Sequence, residues 1–268
     1  MDKRIIGKGR TATVYEYDDF KILKLFNAET TLDSIKKEAE IYKSLEKINL
    51  APKVFSLEKF DDKYGLIMEK VSGQSMLNSI ENQPLKASVF GKQMAQVHYQ
   101  IHSFNHELPK TFNEIFDITK NLQTIGSNAT RIKNYVNQLI NIYPDMCVCH
   151  GDFHPDNIML GKKVMVLDWT NAYTGHPLSD VAKTNLILSS PFIPEDIKGI
   201  TRILLKFIKK KIKKSYLEEY IKLSNFSQTD IDLWTLPMAV VRLADNIPSE
   251  KKWLEKIIKS EVEKTKVY

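Results

Sequence analysis

The stretch HGDFHPDN, from His150 to Asn157, packs two histidines, two aspartates and an asparagine around a phenylalanine, a glycine and a proline. Neither a helix nor a strand needs such a run, so its side chains are read for chemistry. Beyond it, Ile158–Leu160 and VMVLDW (Val164–Trp169) read as strands joined by a turn at Gly161, Lys162 and Lys163. That hairpin is expected to return Asp168 to the loop that carries Asp152 and Asn157. Two carboxylates and one amide then converge, a set of hard oxygen donors suited to Mg2+, which takes few protein ligands and leaves room for substrate phosphates. A competing reading takes His150, Asp152 and His154 as alternating ligands of a borderline metal in a hydrolase. Gly151 and Pro155 argue for an irregular loop instead, and the hydrolase reading leaves Asn157 and Asp168 without roles.

A second group lies near the start of the chain. IIGKGRTATVY (Ile5–Tyr15) sets Gly7 and Gly9 between two strands, where a backbone can approach phosphates closely. The third small position is Ala12 rather than glycine. In FKILKLF, Lys24 shares strand parity with Phe20, Ile22 and Phe26, so it is expected to project among apolar neighbours. A buried lysine needs a carboxylate or a phosphate, because an unpaired buried charge is costly. The next helix supplies a carboxylate. Ile35, Ala39, Ile41, Tyr42, Leu45 and Ile48 define its apolar face, Glu38 falls near the centre of that face, and Glu40 points away. A structural ion pair with no catalytic role is the alternative for Lys24 and Glu38.

The elements that must hold these groups divide the chain. Short β-type runs occupy Lys3–Ile6, Thr13–Tyr17, Phe20–Phe26, Val54–Lys59 and Tyr64–Met68, with turns at Asp18-Asp19 and Asp61-Asp62 and one helix from about Thr31 to Lys47, capped by Thr30 or Thr31. After a linker at Val71–Gly73, helical periodicity dominates: Pro84 to about Phe104, Asn113–Ile125, Thr130–Tyr143, Leu178–Leu188, Pro194–Lys213, Thr229–Asn246 and Glu250–Lys264. Met146–Trp169 interrupts them as a β-rich island. The expected class is α+β: a small antiparallel-sheet lobe with one helix, residues 1–70, and a larger, mainly helical lobe, residues 71–268.

Composition narrows the class further. Hydrophobic residues at 43% and charged residues at 27% are ordinary for a globular chain. No apolar run approaches 18 residues and the N-terminus lacks an apolar signal region, so a soluble, cytoplasmic protein without membrane contact is expected. The net charge of +6 is concentrated in KFIKKKIKK (Lys206–Lys214). Leu204, Leu205, Phe207, Ile208 and Ile212 recur there at helical spacing, which favours a lysine-covered solvated face over a surface for nucleic acid or other polyanions. Cys147 and Cys149 would share one face of a strand, a spacing that suits buried free thiols rather than a disulfide framework or a CxxC site.

The order of these signals is restrictive: glycine turn, strand lysine, helix glutamate, linker, H-x-D-x4-N, strand-terminal aspartate. It resembles the protein-kinase-like superfamily, and specifically the aminoglycoside phosphotransferase and choline kinase branch. HGDFHPDN is similar to that branch's H-G-D-x-x-x-x-N loop, LDW to its counterpart of the kinase D-F-G segment, MEKV (Met68–Val71) to a kinase hinge, and HPLSDVA (His176–Ala182) to the helix start that follows. The resemblance covers Lys3 to about Leu186. It implies a bilobal kinase-like fold, ATP or GTP as phosphoryl donor, Mg2+ as cofactor and a small hydroxyl compound as acceptor. By motif, Asp152 becomes the catalytic base, and Asn157 and Asp168 become metal ligands. Gly7, Gly9, Thr11, Ala12, Lys24, Glu38, Glu69 and Val71 become nucleotide-binding positions, the last two through their backbone. His150 and Asp180 become structural supports of the loop. Only eleven residues separate Asp168 from Asp180, too few for a typical polypeptide platform, which favours a small-molecule acceptor; a monomer or weak dimer is expected. A nucleotide-binding regulatory module without turnover is the alternative.

Other residues carry weaker signals. His98, His102 and His106 recur at i, i+4 spacing without a companion HExxH motif and read as core or cap residues. Trp169, Trp234 and Trp253 read as core or pocket-wall aromatics. Glu218, Glu219, Asp232, Asp245 and Glu250 could meet a cationic acceptor, and Arg242 on the apolar stretch PMAVVRLA is a further pocket candidate.

Overall fold

The computed structural model describes residues 4–193 and 199–265. In chain order the strands are β1 (Ile5–Lys8), β2 (Ala12–Glu16), β3 (Lys21–Phe26), β4 (Val54–Phe60), β5 (Lys63–Glu69), β6 (Gln74–Ser75), β7 (Cys147–Cys149), β8 (Ile158–Leu160), β9 (Val164–Val166) and β10 (Tyr173–Gly175). The α-helices are α1 (Leu32–Ser44), α2 (Met76–Asn82), α3 (Ala87–His102), α4 (Phe112–Ile115), α5 (Leu122–Ile125), α6 (Ala129–Ile142), α7 (Pro177–Ser189), α8 (Gly199–Ser224), α9 (Gln228–Leu233), α10 (Thr235–Leu243) and α11 (Lys251–Lys264). Packing groups them into two units, Met1–Leu77 with Asp156–Asn171, and Asn78–Pro155 with Ala172–Tyr268.

The first unit is built on a five-stranded antiparallel sheet in the order β1-β2-β3-β5-β4. Its turns follow the acidic pairs. The Asp18 carboxylate accepts the Phe20 N–H at 2.8 Å, and Asp61 adopts φ 51° in the two-residue connection between β4 and β5. The strand begins at Lys21, so Phe20 lies on the turn and is exposed rather than sharing the apolar face of β3. Thr31 caps α1, its hydroxyl accepting the Ser34 N–H at 3.3 Å, and Ile35, Glu38, Ile41 and Tyr42 are buried along one side. The helix ends at Ser44, and a 3-10 turn at Glu46–Ile48 takes over the stretch expected to continue to Lys47.

The β8–β9 hairpin belongs to this unit. β6 pairs with β8, β8 pairs with β9, and the Val166 N–H donates to Leu50 O at 2.6 Å. The division therefore differs from a single cut after residue 70: Asp156–Asn171 falls in the first unit, where its backbone hydrogen bonds go to β6 and to Leu50.

The second unit is mainly helical, with β7 and β10 as a short antiparallel pair. Two long helical expectations are corrected. Asn113–Ile125 is not one helix. α4 is capped by Thr111 and Glu114, and it stops where the Asp117 carboxylate takes the Thr119 N–H at 3.0 Å, after which a 3-10 turn, Ile118–Asn121, leads into α5. Thr229–Asn246 is split at Trp234, because Pro237 has no N–H for Leu233 O, which accepts the Tyr135 hydroxyl at 2.8 Å instead. Pro84 opens a 3-10 turn rather than α3 itself. Lys3 and Pro194–Lys198, where a strand and a helix were expected to start, lie outside the described residues, and α8 runs on to Ser224.

α3 and α8 pack closely where Gly91 faces Ile212 and Ser215. A Cβ at Gly91 would lie 2.1 Å from Ser215 Oγ and 2.6 Å from Ile212 O, and the second of these is backbone that cannot turn aside. Gly91→Val should therefore destabilise the fold by roughly 1–3 kcal/mol, the usual cost of forcing volume into a packed contact. Urea denaturation of the two proteins measures it, and an unchanged midpoint would contradict the close crossing.

Candidate active site

In the first unit, β3 delivers Lys24 to a cluster of oxygens. Its Nζ lies 2.7 Å from Glu38 Oε1, 3.4 Å from Asp168 Oδ1 and 3.4 Å from Thr170 Oγ1. Thr170 closes the cluster by donating to Glu38 Oε2 at 3.0 Å or to Asp168 Oδ1 at 2.8 Å. Glu38 is buried and Lys24 nearly so, whereas 53% of the Asp168 side chain is exposed. Burial works against the Lys24 charge, but Tyr42, Glu38 and Asp168 outweigh it and raise the ammonium above the ordinary lysine range. Lys24 is therefore a fixed cation held at one end by a buried anion and facing a half-exposed one.

The hairpin register sets Asn157 beside Asp168. Ile158 pairs with Val166, and the Leu167 N–H donates to Asn157 O at 2.8 Å, so Asn157 stands across from the residue that precedes Asp168. Asp168 itself has φ 59°, in the left-handed region that aspartate tolerates better than most residues. Trp169 anchors this bend by donating its indole N–H to Val166 O at 2.8 Å and its backbone N–H to Tyr42 Oη at 3.4 Å.

Gly7 lies on β1 opposite Val14, and Gly9 follows in the β1–β2 turn. The Gly9 N–H donates to Ala12 O at 2.9 Å, and the Asn27 N–H to Thr11 O at 2.8 Å. A Cβ at Gly7 or Gly9 would meet nothing nearer than 3.6 Å and 3.4 Å respectively. The fold itself does not demand glycine at either place. Ala12 is buried opposite Phe26 on β3. A cleft of about 380 Å³ lies beside this turn, lined by Arg10, Thr11, Asn27, Thr31, Glu38 and Thr170 among others. At the other end of the sheet, the Glu69 N–H donates to Lys53 O at 2.8 Å, and Val71 follows two residues later.

In the second unit, Asp152 sits on a loop gripped by Asp180. Asp180 Oδ2 accepts the backbone N–H of His150 at 2.5 Å and lies 3.0 Å from His98 Nε2 and 3.3 Å from His102 Nε2, while Oδ1 accepts the Gly151 N–H at 2.9 Å. The far nitrogens of the two imidazoles meet hydroxyls on α8, Tyr216 at 2.7 Å and Tyr220 at 2.6 Å. His98 also stacks on Phe153 of the loop, with ring centroids 4.0 Å apart. Gly151 turns the backbone with φ 78°, and the Asp152 N–H donates to His150 Nδ1 at 3.2 Å. Burial would raise the Asp180 carboxyl, but His98 and His102 hold it well below the usual carboxylate range, and burial pushes His98 down to about 3. The pair is thus an aspartate anion receiving a hydrogen bond from a neutral His98.

Charges also crowd Asp152. His154 Nε2 lies 3.7 Å from its Oδ2, and Arg242 Nη1 lies 3.8 Å from its Oδ1 and 3.6 Å from Asp245 Oδ2. Burial raises the Asp152 carboxyl, yet His154, Lys183 and His150 more than offset this and hold it far below the usual carboxylate range. Of the acids weighed for a cationic acceptor, Glu250 is buried and held by Arg242 through two bonds of 2.8 and 3.0 Å, and Glu218 pairs with Lys214 on α8. Asp245 is the one brought next to Asp152 through Arg242. Lys183, 3.4 Å from Asp245, and Thr170 carried no readable signal in the sequence. The i, i+4 spacing of His98 and His102 was such a signal, and their place is the core, as expected, though in contact with the loop. Cys147 and Cys149 are buried free thiols with Sγ atoms 4.0 Å apart.

Residues 4–205 match the sequence profile of the phosphotransferase enzyme family. Among solved structures, aminoglycoside phosphotransferase APH(3'')-Id from Streptomyces rimosus superposes with a TM-score of 0.61 at 17% identity, over 89% of this chain and 92% of that one. The streptomycin–ATP ternary complex of APH(2'')-IIa gives 0.57 at 14% identity over 99% and 92%. Macrolide 2'-phosphotransferase MphH from Brachybacterium faecium gives 0.51 at 13% over 96% and 91%. At these identities the likeness is one of fold. A curated rat protein, acyl-CoA dehydrogenase family member 11, is 42% identical over 60 residues, which is 21% of this chain and only 7% of that protein.

The buried histidines make stability depend on pH. His98 is depressed to about 3 and His176, buried against Trp234, to about 4, from an ordinary 6.5. Between those values the unfolded chain binds more protons than the folded one, so stability falls as pH drops below about 6.5. Each group contributes a slope approaching 1.4 kcal/mol per pH unit there. Thermal melts from pH 7 to 5 should show the decline, and His98→Gln should flatten it. An identical slope in that variant would exclude His98 as a source.

Proposed function

The chain belongs to the phosphotransferase enzyme family, and from that premise we propose that it is a Mg2+-dependent kinase that transfers the γ-phosphoryl group of ATP or GTP to a hydroxyl of a small acceptor. The observation that carries this reading is the cluster of Lys24, Glu38, Thr170 and Asp168, a fixed cation aimed at a half-exposed carboxylate. Lys24 pairs the α- and β-phosphates and Glu38 holds it in place. The glycine turn supports the same assignment: Gly7 and Gly9 fill no tight space within the fold, as befits backbone kept bare for a ligand. Thr11 lies on the β1–β2 turn and Ala12 opens β2, while Glu69 and Val71 offer backbone groups to the base.

Asn157 and Asp168 are hard oxygen donors, adjacent across the hairpin, and their chemistry fits Mg2+. Held by these two residues, the ion would neutralise charge on the nucleotide phosphates. Asp152 orients the acceptor hydroxyl and takes its proton as the oxygen–phosphorus bond forms and the bond to the β-phosphate oxygen breaks. The environment that keeps Asp152 ionised suits an acceptor of hydrogen bonds at this position. His150 and Asp180 hold the loop in the conformation that presents it. Positioning and charge neutralisation, more than covalent chemistry, supply the rate.

Solved structures of similar fold hold ADP with streptomycin or ATP with streptomycin, and another is a macrolide 2'-phosphotransferase, which supports a nucleotide donor and a compact hydroxylated acceptor. An ADP-release screen with ATP and with GTP over aminoglycosides, choline, sugars, amino alcohols and macrolides identifies both. Asp152→Asn should lower turnover with the acceptor so found at least about a hundredfold while nucleotide still binds; full turnover would remove Asp152 from its role. Asp168→Ala should abolish Mg2+-dependent nucleotide binding, and calorimetry giving unchanged affinity would count against a metal-ligand role.

A further inference from the structure

The basic segment on α8 is not simply a solvated face. Of the apolar residues expected to face inward, Ile208 and Ile212 are buried, but Leu204 and Phe207 point out, 50% and 60% exposed. The crossing at Gly91 fixes which side of α8 meets α3, and it leaves this edge outside. Ile200 and Ile203, 80% and 65% exposed, complete an i, i+3, i+4, i+7 ridge along the first two turns. The 100° periodicity sets Lys206, Lys210, Lys211 and Lys214 along the flank of the ridge and beyond its end, all exposed. The Lys211 ammonium stands 5.9 Å from the centroid of the Phe207 ring. Lys209 and Lys213 turn the other way, donating to Ser190 O at 2.7 Å and Ser189 Oγ at 2.8 Å. Between Gly199 and Leu217 there are seven basic residues and no acidic one, against a net charge of +6 for the whole chain.

We propose that this edge of α8 docks on an anionic lipid surface, with Ile200, Ile203, Leu204 and Phe207 entering the headgroup–acyl boundary and the lysines meeting lipid phosphates. The combination of large apolar side chains and flanking lysines on one helix is the pattern of an interfacial helix, where apolar burial and attraction to anionic lipid add. A second copy with α8 parallel to its own repeat fits poorly, because that contact would set each lysine cluster against itself. Nucleic acid fits poorly too, since its phosphates would not cover four apolar side chains in the middle of the patch. No helix among the described residues is long and apolar enough to cross a membrane, and the proposed contact is a peripheral one. The inference stands apart from the kinase assignment and survives its failure.

Flotation of the full chain with vesicles of phosphatidylcholine alone, and with about one-third phosphatidylglycerol, tests it. The chain should float with the anionic vesicles, less so as salt rises, and remain unbound to the neutral ones. Phe207→Ser and the pair Lys210→Glu with Lys211→Glu alter exposed side chains and should each weaken partition about tenfold, equivalent to about 1.4 kcal/mol. Absence of flotation at low salt would overturn the proposal. So would binding that Phe207→Ser leaves intact while the lysine variant loses it, because the surface would then be a polyanion site without lipid insertion. Light scattering that finds a dimer of the native chain and a monomer of Phe207→Ser would assign the ridge to a second copy instead.

Discussion

A carboxylate with no exposed surface stays ionised only if donors fill its lone pairs, and Asp180 meets that condition with groups drawn from two places. Two backbone N–H groups come from the His150–Gly151 loop and two imidazoles come from α3, and both imidazoles are held in turn by tyrosines of α8. Removing any one donor leaves charge in a region of low polarity, where the penalty is large. The four arrangements are therefore mutually dependent. The loop can take its bend only while Asp180 is present to receive its N–H groups, and Asp180 can remain an anion only while α3 and α8 are seated. Gly151 completes the dependence, since its φ of 78° suits glycine and few other residues.

The sheet unit solves the same problem with a cation. Lys24 is carried into a nearly closed site by the register of β3, and Glu38 and Thr170 supply the oxygens that make its charge tolerable there. Asp168 is the member of that group left partly open to solvent. In both units, then, buried groups with complete hydrogen bonding surround one less buried carboxylate, Asp168 in the first and Asp152 in the second.

How much of this could be read beforehand depended on whether the signal was local. Lys24 and Glu38 were legible because strand parity and helical phase each point a charged residue into an apolar face, and an inward charge needs a partner. The β8–β9 hairpin was legible from two apolar runs around a glycine turn. Phe20 misled because parity continues past the end of a strand, while burial does not. The helix expected over Thr229–Asn246 failed at Pro237, whose missing N–H was visible, but the hydroxyl of Tyr135 that takes over the Leu233 carbonyl is about a hundred residues away in sequence. Lys183, Thr170, Tyr216 and Tyr220 were invisible for the same reason, since each is defined by partners that only the folded chain brings near. On α8 Ile208 and Ile212 face inward but Leu204 and Phe207 do not, because helical spacing reveals an apolar stripe without saying how far a neighbour covers it.

The Arg242–Glu250 pair has a further consequence for how the polypeptide can vary. Glu250 immediately precedes α11, and its carboxylate occupies two nitrogens of a buried guanidinium whose third reaches toward Asp152 and Asp245. A shortened chain that lacked this glutamate and the helix after it would not simply be smaller. It would turn a balanced ion pair into a stranded positive charge beside the proposed base, and Arg242 would be drawn onto the remaining carboxylates to neutralise itself. The closing helix is in this sense a counterweight: its placement decides how much positive charge the reacting end of the molecule experiences, although none of its own side chains need come near the chemistry.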